Sequence, residues 1–333
     1  MEAAEVKELV RGLGADLVGI AGVAALEAYP PDPRFPQVPS RISPYGKSVI
    51  VLAKHIPAAA FRASVGATVR YMDNLVIRRV DRLAHRLARE LEARGIPSLA
   101  TITNETDWEL KKGTYGYLSN RHLAVEAGLG TVGLNVNLVT PEYGSRVYVA
   151  AVLSEHEFAA DAPMTEQVCI GEGCSRCLYG CPADAVGHFA LDKRSCSTQA
   201  QVFGFAGFTA HVAGAVGADA ETRRRHLYAP ESIGYWQAMT RVAGCFGACP
   251  RCHGVCPIGD DYETFLAGLQ KEIPEKTPEK VARGKEFKAA RRVGESGAGL
   301  DDWNIRWVGP DGYTGRALRE RVKTRRETEP EEH

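Results

Sequence analysis

The first 168 residues contain no cysteine, although the 333-residue chain has nine. Net charge is also missing. Forty-one basic residues balance 41 acidic ones, and the pI is near 7.1. That removes the electrostatic case for a general nucleic-acid binder and leaves only a local basic patch. The N-terminal Met1-Glu2-Ala3-Ala4-Glu5 has no basic stretch, apolar core or twin arginine. Neither a secretory nor a Tat signal is evident, and the expected compartment is the cytoplasm. There is no Walker A sequence, no HExxH and no G-x-S-x-G. Gly128-Leu-Gly130-Thr-Val-Gly133 matches G-x-G-x-x-G by letter only. The dinucleotide fingerprint runs strand, glycine turn, helix, and here a helix comes first and a strand follows. These glycines instead let backbone approach a large flat ligand or another chain segment closely.

What is present is concentrated between Cys169 and Cys256. An odd cysteine count at CxxC spacings in a reducing compartment points to metal binding, not to a disulfide framework. The first motif is Cys169-Ile-Gly-Glu-Gly-Cys174-Ser-Arg-Cys177-Leu-Tyr-Gly-Cys181-Pro182, and the second is Cys249-Pro-Arg-Cys252-His-Gly-Val-Cys256-Pro257. C-x2-C-x3-C-P is the ferredoxin signature, in which the cysteine before proline ligates the other cubane. Zinc also accepts CxxC pairs but gives no reason for a Cys-Pro ending twice. Two [4Fe-4S] clusters are therefore expected. Crossing the ligands gives Cys169, Cys174, Cys177 and Cys256 to one cluster, and Cys181, Cys249 and Cys252 to the other. Its fourth ligand is Cys196 or Cys245, and spacing does not choose.

The cysteine-free half reads as a mixed domain. Residues 15–23 and 47–53 are β-branched runs bounded by turn residues, hence strands. Between them, Tyr29 to Tyr45 holds six prolines and reads as a binding loop or lid. Leu75, Val76, Val80, Leu83, Leu87 and Leu91 repeat at helical spacing over residues 68–94, and Gly95-Ile96-Pro97 stops that helix. A strand near 99–103, a helix at 120–127 and strands at 135–140 and 146–153 follow. The uncharged stretch Ser195–Ala218 is interrupted by Gly204, Gly207, Gly214 and Gly217, which argues against a lipid-facing helix. It is expected to be a buried, water-excluding wall. Lys271–His333 is highly charged and reads as a solvated helix and tail. The divisions are 1–160, 161–265 for the cluster region, and 266–333 for the extension.

The segment Ala124-Val-Glu-Ala-Gly-Leu-Gly130, Gly133-Leu-Asn135, Asn137-Leu-Val-Thr-Pro-Glu-Tyr143-Gly144-Ser-Arg146-Val, followed by two ferredoxin motifs and by Leu191-Asp192-Lys-Arg-Ser-Cys196, resembles the cobalamin-dependent iron–sulfur reductases. These are the reductive dehalogenases and the related epoxyqueuosine reductases. The resemblance implies an α/β (α+β) nitroreductase-like corrinoid-binding domain, residues 1–160, with an inserted or appended two-cluster ferredoxin-like domain. It favours Cys196 over Cys245 as the eighth ligand. It also implies a base-off corrinoid (cobalamin) held near Gly128, Gly130, Gly133, Asn135 and Asn137, reduced through the clusters by an external ferredoxin or flavodoxin type donor.

Arg70-Tyr71-Met-Asp73-Asn74 resembles the family's tyrosine segment, so Tyr71 is the implied proton donor. Arg121 is placed to stabilise a departing anion or the corrinoid amides. The acidic Asp-Ser-Ala-Pro-Val-like segment of the epoxyqueuosine reductases is replaced by Thr114-Tyr115-Gly116-Tyr117-Leu118, and their C-terminal helical-repeat module is not matched. The reading that follows is a short dehalogenase-like oxidoreductase acting on a small organohalide, without firm membrane contact. Reduction of a modified nucleoside in tRNA is the alternative, and a non-catalytic electron-transfer protein is the third reading.

Overall fold

The computed structural model describes residues 1–31, 37–64, 66–101, 106–107, 109, 115–241, 249–294 and 305–307. The chain opens with α1 (Ala3–Leu13), whose first turn is closed by the Glu5 carboxylate accepting from the Glu2 backbone N–H at 2.7 Å. Gly14, at φ 107°, ends it in the left-handed region that glycine enters without steric cost. Then come β1 (Leu17–Gly22), α2 (Val23–Ala28), β2 (Ser48–His55), the long α3 (Gly66–Glu92), β3 (Ser98–Ala100) and α4 (Asn120–Glu126). The short β4 (Thr131–Val132) and β5 (Leu138–Val139) form a hairpin, and β6 (Val147–Ser154) completes the half. Helices α1 and α2 had no counterpart in the sequence reading. The strand expected over 135–140 is reduced to the two residues of β5, and of the strand expected near 99–103, residues 102–103 lie outside the described residues.

Four strands form one antiparallel sheet in the order β1-β2-β6-β3. Alternation along β2 splits the core into two layers. Val49, Val51 and Ala53 face Leu123 and Ala124 of α4. Ile50 and Leu52 face Val6 and Val10 of α1 and Val80, Leu83 and Leu87 of α3. Helices α3 and α4 thus cover opposite faces of the sheet. The α-and-β content is mixed, as expected.

The cysteine-rich part holds α5 (Arg176–Tyr179), β7 (Ala190–Asp192), α6 (Lys193–Ala200), α7 (Phe205–Gly217), α8 (Ala220–Leu227), α9 (Pro230–Arg241), α10 (Arg251–Gly254), α11 (Pro278–Gly294) and β8 (Ile305–Trp307), which pairs with β7. Asp192 caps α6, accepting from the backbone N–H groups of Arg194 and Ser195. The expected buried wall is not there. Helix α7 packs on α8 and Tyr235, and Phe205 and Val216 are 78% and 73% exposed. The helix is apolar all round, so composition could not reveal which side would be covered. Among the described residues no helix is long and apolar enough to cross a membrane. Helix α11 is more than a solvated appendage: Lys280 donates to the carbonyls of Tyr179 and Cys181, and Arg283 to that of Asp184.

One side chain ties the sheet to the cysteine loops. Arg146, just before β6, is fully buried. Its Nε donates to Asp261 Oδ2 at 2.7 Å, its Nη1 to the Cys256 carbonyl at 2.7 Å, and its Nη2 to the Ile258 carbonyl at 2.6 Å and to Asp261 Oδ1. A planar guanidinium can serve all these acceptors at once, and an ammonium cannot. We expect Arg146→Ala to strand the Asp261 carboxylate and cost about 3–5 kcal/mol in anaerobic urea unfolding. Arg146→Lys should recover only part of that loss.

Candidate metal centre

Eight cysteines fall within the described residues, and they gather as two quartets. Cys169, Cys174, Cys177 and Cys256 line one open cleft together with Leu134, Asn135, Val139 and Ile258. Cys196 lies within electrostatic reach of Cys181 and Cys249, and Cys252 of Cys249, Cys196 and Cys181. Cys177 and Cys252 also feel each other, so the quartets adjoin. The chain reaches this crossed arrangement because each Cys-Pro turn carries its cysteine away from its own CxxC loop. Cys245 lies outside the described residues.

The donor chemistry suits iron–sulfur clusters. Burial pushes the Cys177 and Cys252 thiols well up, and the neighbouring thiols push further. Cys196 is raised to about 11, first by burial and then by Cys181 and Cys249. Packing four such groups together is unfavourable until a cationic centre replaces their protons. Hydrogen-bond donors already point at the sulfurs. Leu134 and Gly171 backbone N–H groups donate to Cys169 Sγ at 3.5 and 3.4 Å, and Ala185 N–H to Cys181 Sγ at 3.3 Å. Asn137 Nδ2 donates to Cys252 Sγ at 3.5 Å. Gly144 is needed here: at φ 56°, a Cβ would meet the Ile258 carbonyl at 2.3 Å and Cys256 Sγ at 3.3 Å. Among the described residues, no three His, Cys, Asp or Glu side chains converge tightly enough for a single metal ion.

The other sequence-derived residues are scattered. A Cβ on Gly130 would strike the Val139 carbonyl at 2.2 Å, and one on Gly128 the Ala162 carbonyl at 2.7 Å. These glycines, with Gly133 against the Val139 side chain, serve the approach of chain to chain. Asn135 accepts from the Asn137 N–H at 3.2 Å and lines the cleft, so both asparagines sit at the thiols. Arg121 donates to the Val136 carbonyl. It stands on α4, whereas Tyr71 stands on α3 across the sheet and is 57% exposed. The structure therefore does not bring Tyr71 and Arg121 together. Thr114, in the place of the acidic segment, lies outside the described residues, and Tyr115 is buried.

Sequence reasoning placed His253 inside a cluster loop, where it tunes or shields rather than ligates, and missed two further groups, Tyr148 and Asp73. His253 is buried and donates Nδ1–H to the Ser145 carbonyl, and burial holds its pKa below the usual imidazole value. Tyr148 of β6 has its phenol pushed up by burial, then by Asp73 and Cys252. Asp73 on α3 is 3% exposed, and its Oδ1 has no hydrogen-bond partner. Its apolar surroundings raise its pKa to about 7. Its only sequence signal was an acid at a core position of a helix whose neighbours Val76 and Val80 are apolar. Asn120 likewise leaves its Oδ1 buried and unpartnered while its Nδ2 donates to the Val149 carbonyl at 3.2 Å. Such unpartnered acceptors suit the peripheral amide donors of a corrinoid.

No family model matches the chain. It is 41% identical over 162 residues to the epoxyqueuosine reductase of Bacillus subtilis, covering 48% of this chain and 34% of that protein. It is 25% identical over 194 residues to that of Prochlorococcus marinus, covering 58% and 50%. The match to the Bacillus cereus epoxyqueuosine reductase spans 21% of that protein. The chain thus spans about a third or less of the first curated relatives it matches. An epoxyqueuosine reductase solved with a modified tRNA stem loop is similar at TM-score 0.45 and 20% identity, over 84% of this chain and 69% of that one. A catabolic reductive dehalogenase is similar at TM-score 0.47 and 18% identity, over 72% and 36%. Paired thiol quartets beside an α-and-β sheet, with similarity over part of the chain to curated epoxyqueuosine reductases, agree with the cobalamin-dependent reductase superfamily that the sequence resemblance implied. Within that superfamily, the curated relatives it matches are epoxyqueuosine reductases.

Asp73 makes a prediction about stability. Its folded pKa lies above the unfolded value of about 3.9, so the native state binds more protons between roughly pH 4 and 7. Stability contributed by the protonated form is present below that window and is lost as pH rises through it. Asp73→Asn should flatten this fall and stabilise the protein by ~2–4 kcal/mol at pH 8, measured by anaerobic urea unfolding across pH.

Proposed function

We propose that the protein is an iron–sulfur- and corrinoid-dependent reductase whose substrate is the epoxyqueuosine nucleoside in tRNA. The observation that carries the reading is the crossed pair of thiol quartets in a chain whose curated relatives are epoxyqueuosine reductases. Those relatives reverse the order in which the sequence placed the two substrates, since organohalide reduction has no support of comparable depth.

Cys169, Cys174, Cys177 and Cys256 would hold one [4Fe-4S] cluster, and Cys181, Cys196, Cys249 and Cys252 the other. The clusters supply single electrons, and a bound corrinoid supplies the strongly reducing centre next to substrate. Residues 1–160 hold substrate and corrinoid, residues 161–265 hold the clusters, and α11 in the 266–333 extension braces the first motif. The N–H donors to Cys169 and Cys181 and the Asn137 amide stabilise the charge that each reduction adds.

Removing an epoxide oxygen as water consumes two electrons and two protons. Tyr71 is the proposed donor of one proton, because a phenol hydroxyl within hydrogen-bond reach of a reacting atom can act as a general acid. Asn120 and Asp73 are the acceptors proposed to hold corrinoid amides.

Anaerobically reconstituted protein should carry about eight irons per chain, falling to about four in Cys196→Ser and staying near eight in Cys245→Ser. Iron loss in Cys245→Ser alone would reverse the ligand assignment. Corrinoid-loaded, pre-reduced protein should convert epoxyqueuosine to queuosine in tRNA, read by nucleoside mass spectrometry. Tyr71→Phe should slow the conversion roughly 10²-fold with iron and corrinoid content retained. Halide release from an organohalide by enzyme that leaves epoxyqueuosine untouched would overturn the substrate assignment.

A further inference from the structure

The long helix α3 buries one face against the sheet and leaves the other open. Its buried side is Val76, Ile77, Val80, Leu83, Ala84, Leu87, Ala88 and Leu91. Its open side is an ordered series: Tyr71, Leu75, Arg79, Arg82, Arg86 and Arg89 are all exposed. The intervals of four, four, three, four and three residues keep them on one face of a 3.6-residue helix. In a chain with no net charge, this puts four guanidinium groups in a line on one element.

Acids do not cancel the line. Glu90 pairs with Arg94 at 2.7 Å and is drawn below the usual carboxylate range, first by that hydrogen bond and then by Arg94, Arg86 and Arg89 charges. Glu92 is exposed near the C-terminal end, and Asp81 is half-buried. Arg79 and Arg82 have no acidic partner among the described residues. Ten residues separate Arg79 from Arg89, about 15 Å of helix, long enough to meet several successive phosphates along one strand of a duplex. Tyr71 stands eight residues before Arg79, about 12 Å further along the same face.

We propose that this face of α3 is an RNA-docking surface, with Arg79, Arg82, Arg86 and Arg89 seated along the phosphates of a stem and Tyr71 meeting an unstacked base at its end. It deepens the tRNA reading above and rests on it. The shape of the surface favours nucleic acid over a lipid bilayer. A planar guanidinium grips phosphate oxygens in pairs, and an exposed aromatic ring stacks a splayed base. Beyond Tyr71 and Leu75 the face carries no apolar group with which to enter a membrane. The affinity is electrostatic and should fall steeply with salt.

The test uses the cluster-loaded full chain and a fluorescent RNA stem loop, titrated at several salt concentrations. Two triple variants are compared, Arg79→Glu/Arg82→Glu/Arg86→Glu and the milder Arg79→Gln/Arg82→Gln/Arg86→Gln, with Arg224→Glu/Arg225→Glu on α8 as a control elsewhere on the surface. Both triple variants should keep their iron and weaken RNA binding roughly tenfold or more. The slope of log affinity against log salt should fall by about two to three, and the control should bind as wild type does. Wild-type affinity and slope in the Gln variant would overturn the surface. So would wild type that binds no stem loop, or that binds phosphatidylglycerol vesicles through these arginines in preference to RNA. Unaltered tRNA conversion by the Gln variant would remove the surface and leave the function standing. RNA binding through the stripe, by enzyme that never converts epoxyqueuosine, would do the reverse.

Discussion

The Arg146 guanidinium is the constraint on which the rest of the molecule depends. It is removed from water at the start of a central strand, and the carbonyls of Cys256 and Ile258 with the Asp261 carboxylate are what make that burial tolerable. The same contacts fix where Cys256 stands, and Cys256 completes the first quartet. Packing of the sheet and placement of the thiols are therefore one problem, solved by a single cation. A lysine could not solve it, because the Asp261 carboxylate and the Cys256 and Ile258 carbonyls together call for the forked donors of a guanidinium.

The thiols are arranged against their own electrostatics. Six of the eight thiols are pushed up, first by burial and then by neighbouring thiols, so iron replacing their protons would let formation of the centre and folding of the loops reinforce each other. Backbone N–H groups of Leu134, Gly171 and Ala185 aim at sulfur before any metal arrives. The first quartet opens on the cleft beside Ile170 and Pro257. The second lies toward Tyr148 and the buried Asp73.

Much of this was legible in the sequence, and the remainder has definite reasons. Strands β1, β2 and β6 and helices α3 and α4 followed from apolar periodicity, because each buries a full face. The short helix α2 carries a single buried residue, Leu26, and so leaves no periodic trace. The cysteine grouping was readable because proline after cysteine dictates a crossing. Long-range roles were not. Arg146 lay within a segment that marked the resemblance, yet nothing local announces a partner 115 residues away at Asp261. Asp73 differs from an ordinary helix acid only in facing the core. Helix α7 was misjudged because an uncharged helix looks buried, and here its outer side is not covered among the described residues.

Iron-57 Mössbauer spectroscopy with parallel electron paramagnetic resonance on the anaerobically reconstituted chain tests the central claim most directly. Two adjoining quartets predict that all iron resides in [4Fe-4S] clusters, two per chain. On full reduction the paramagnetic signal should be broadened by spin coupling between them. A single uncoupled cluster, or stoichiometric zinc in place of iron, would contradict the account.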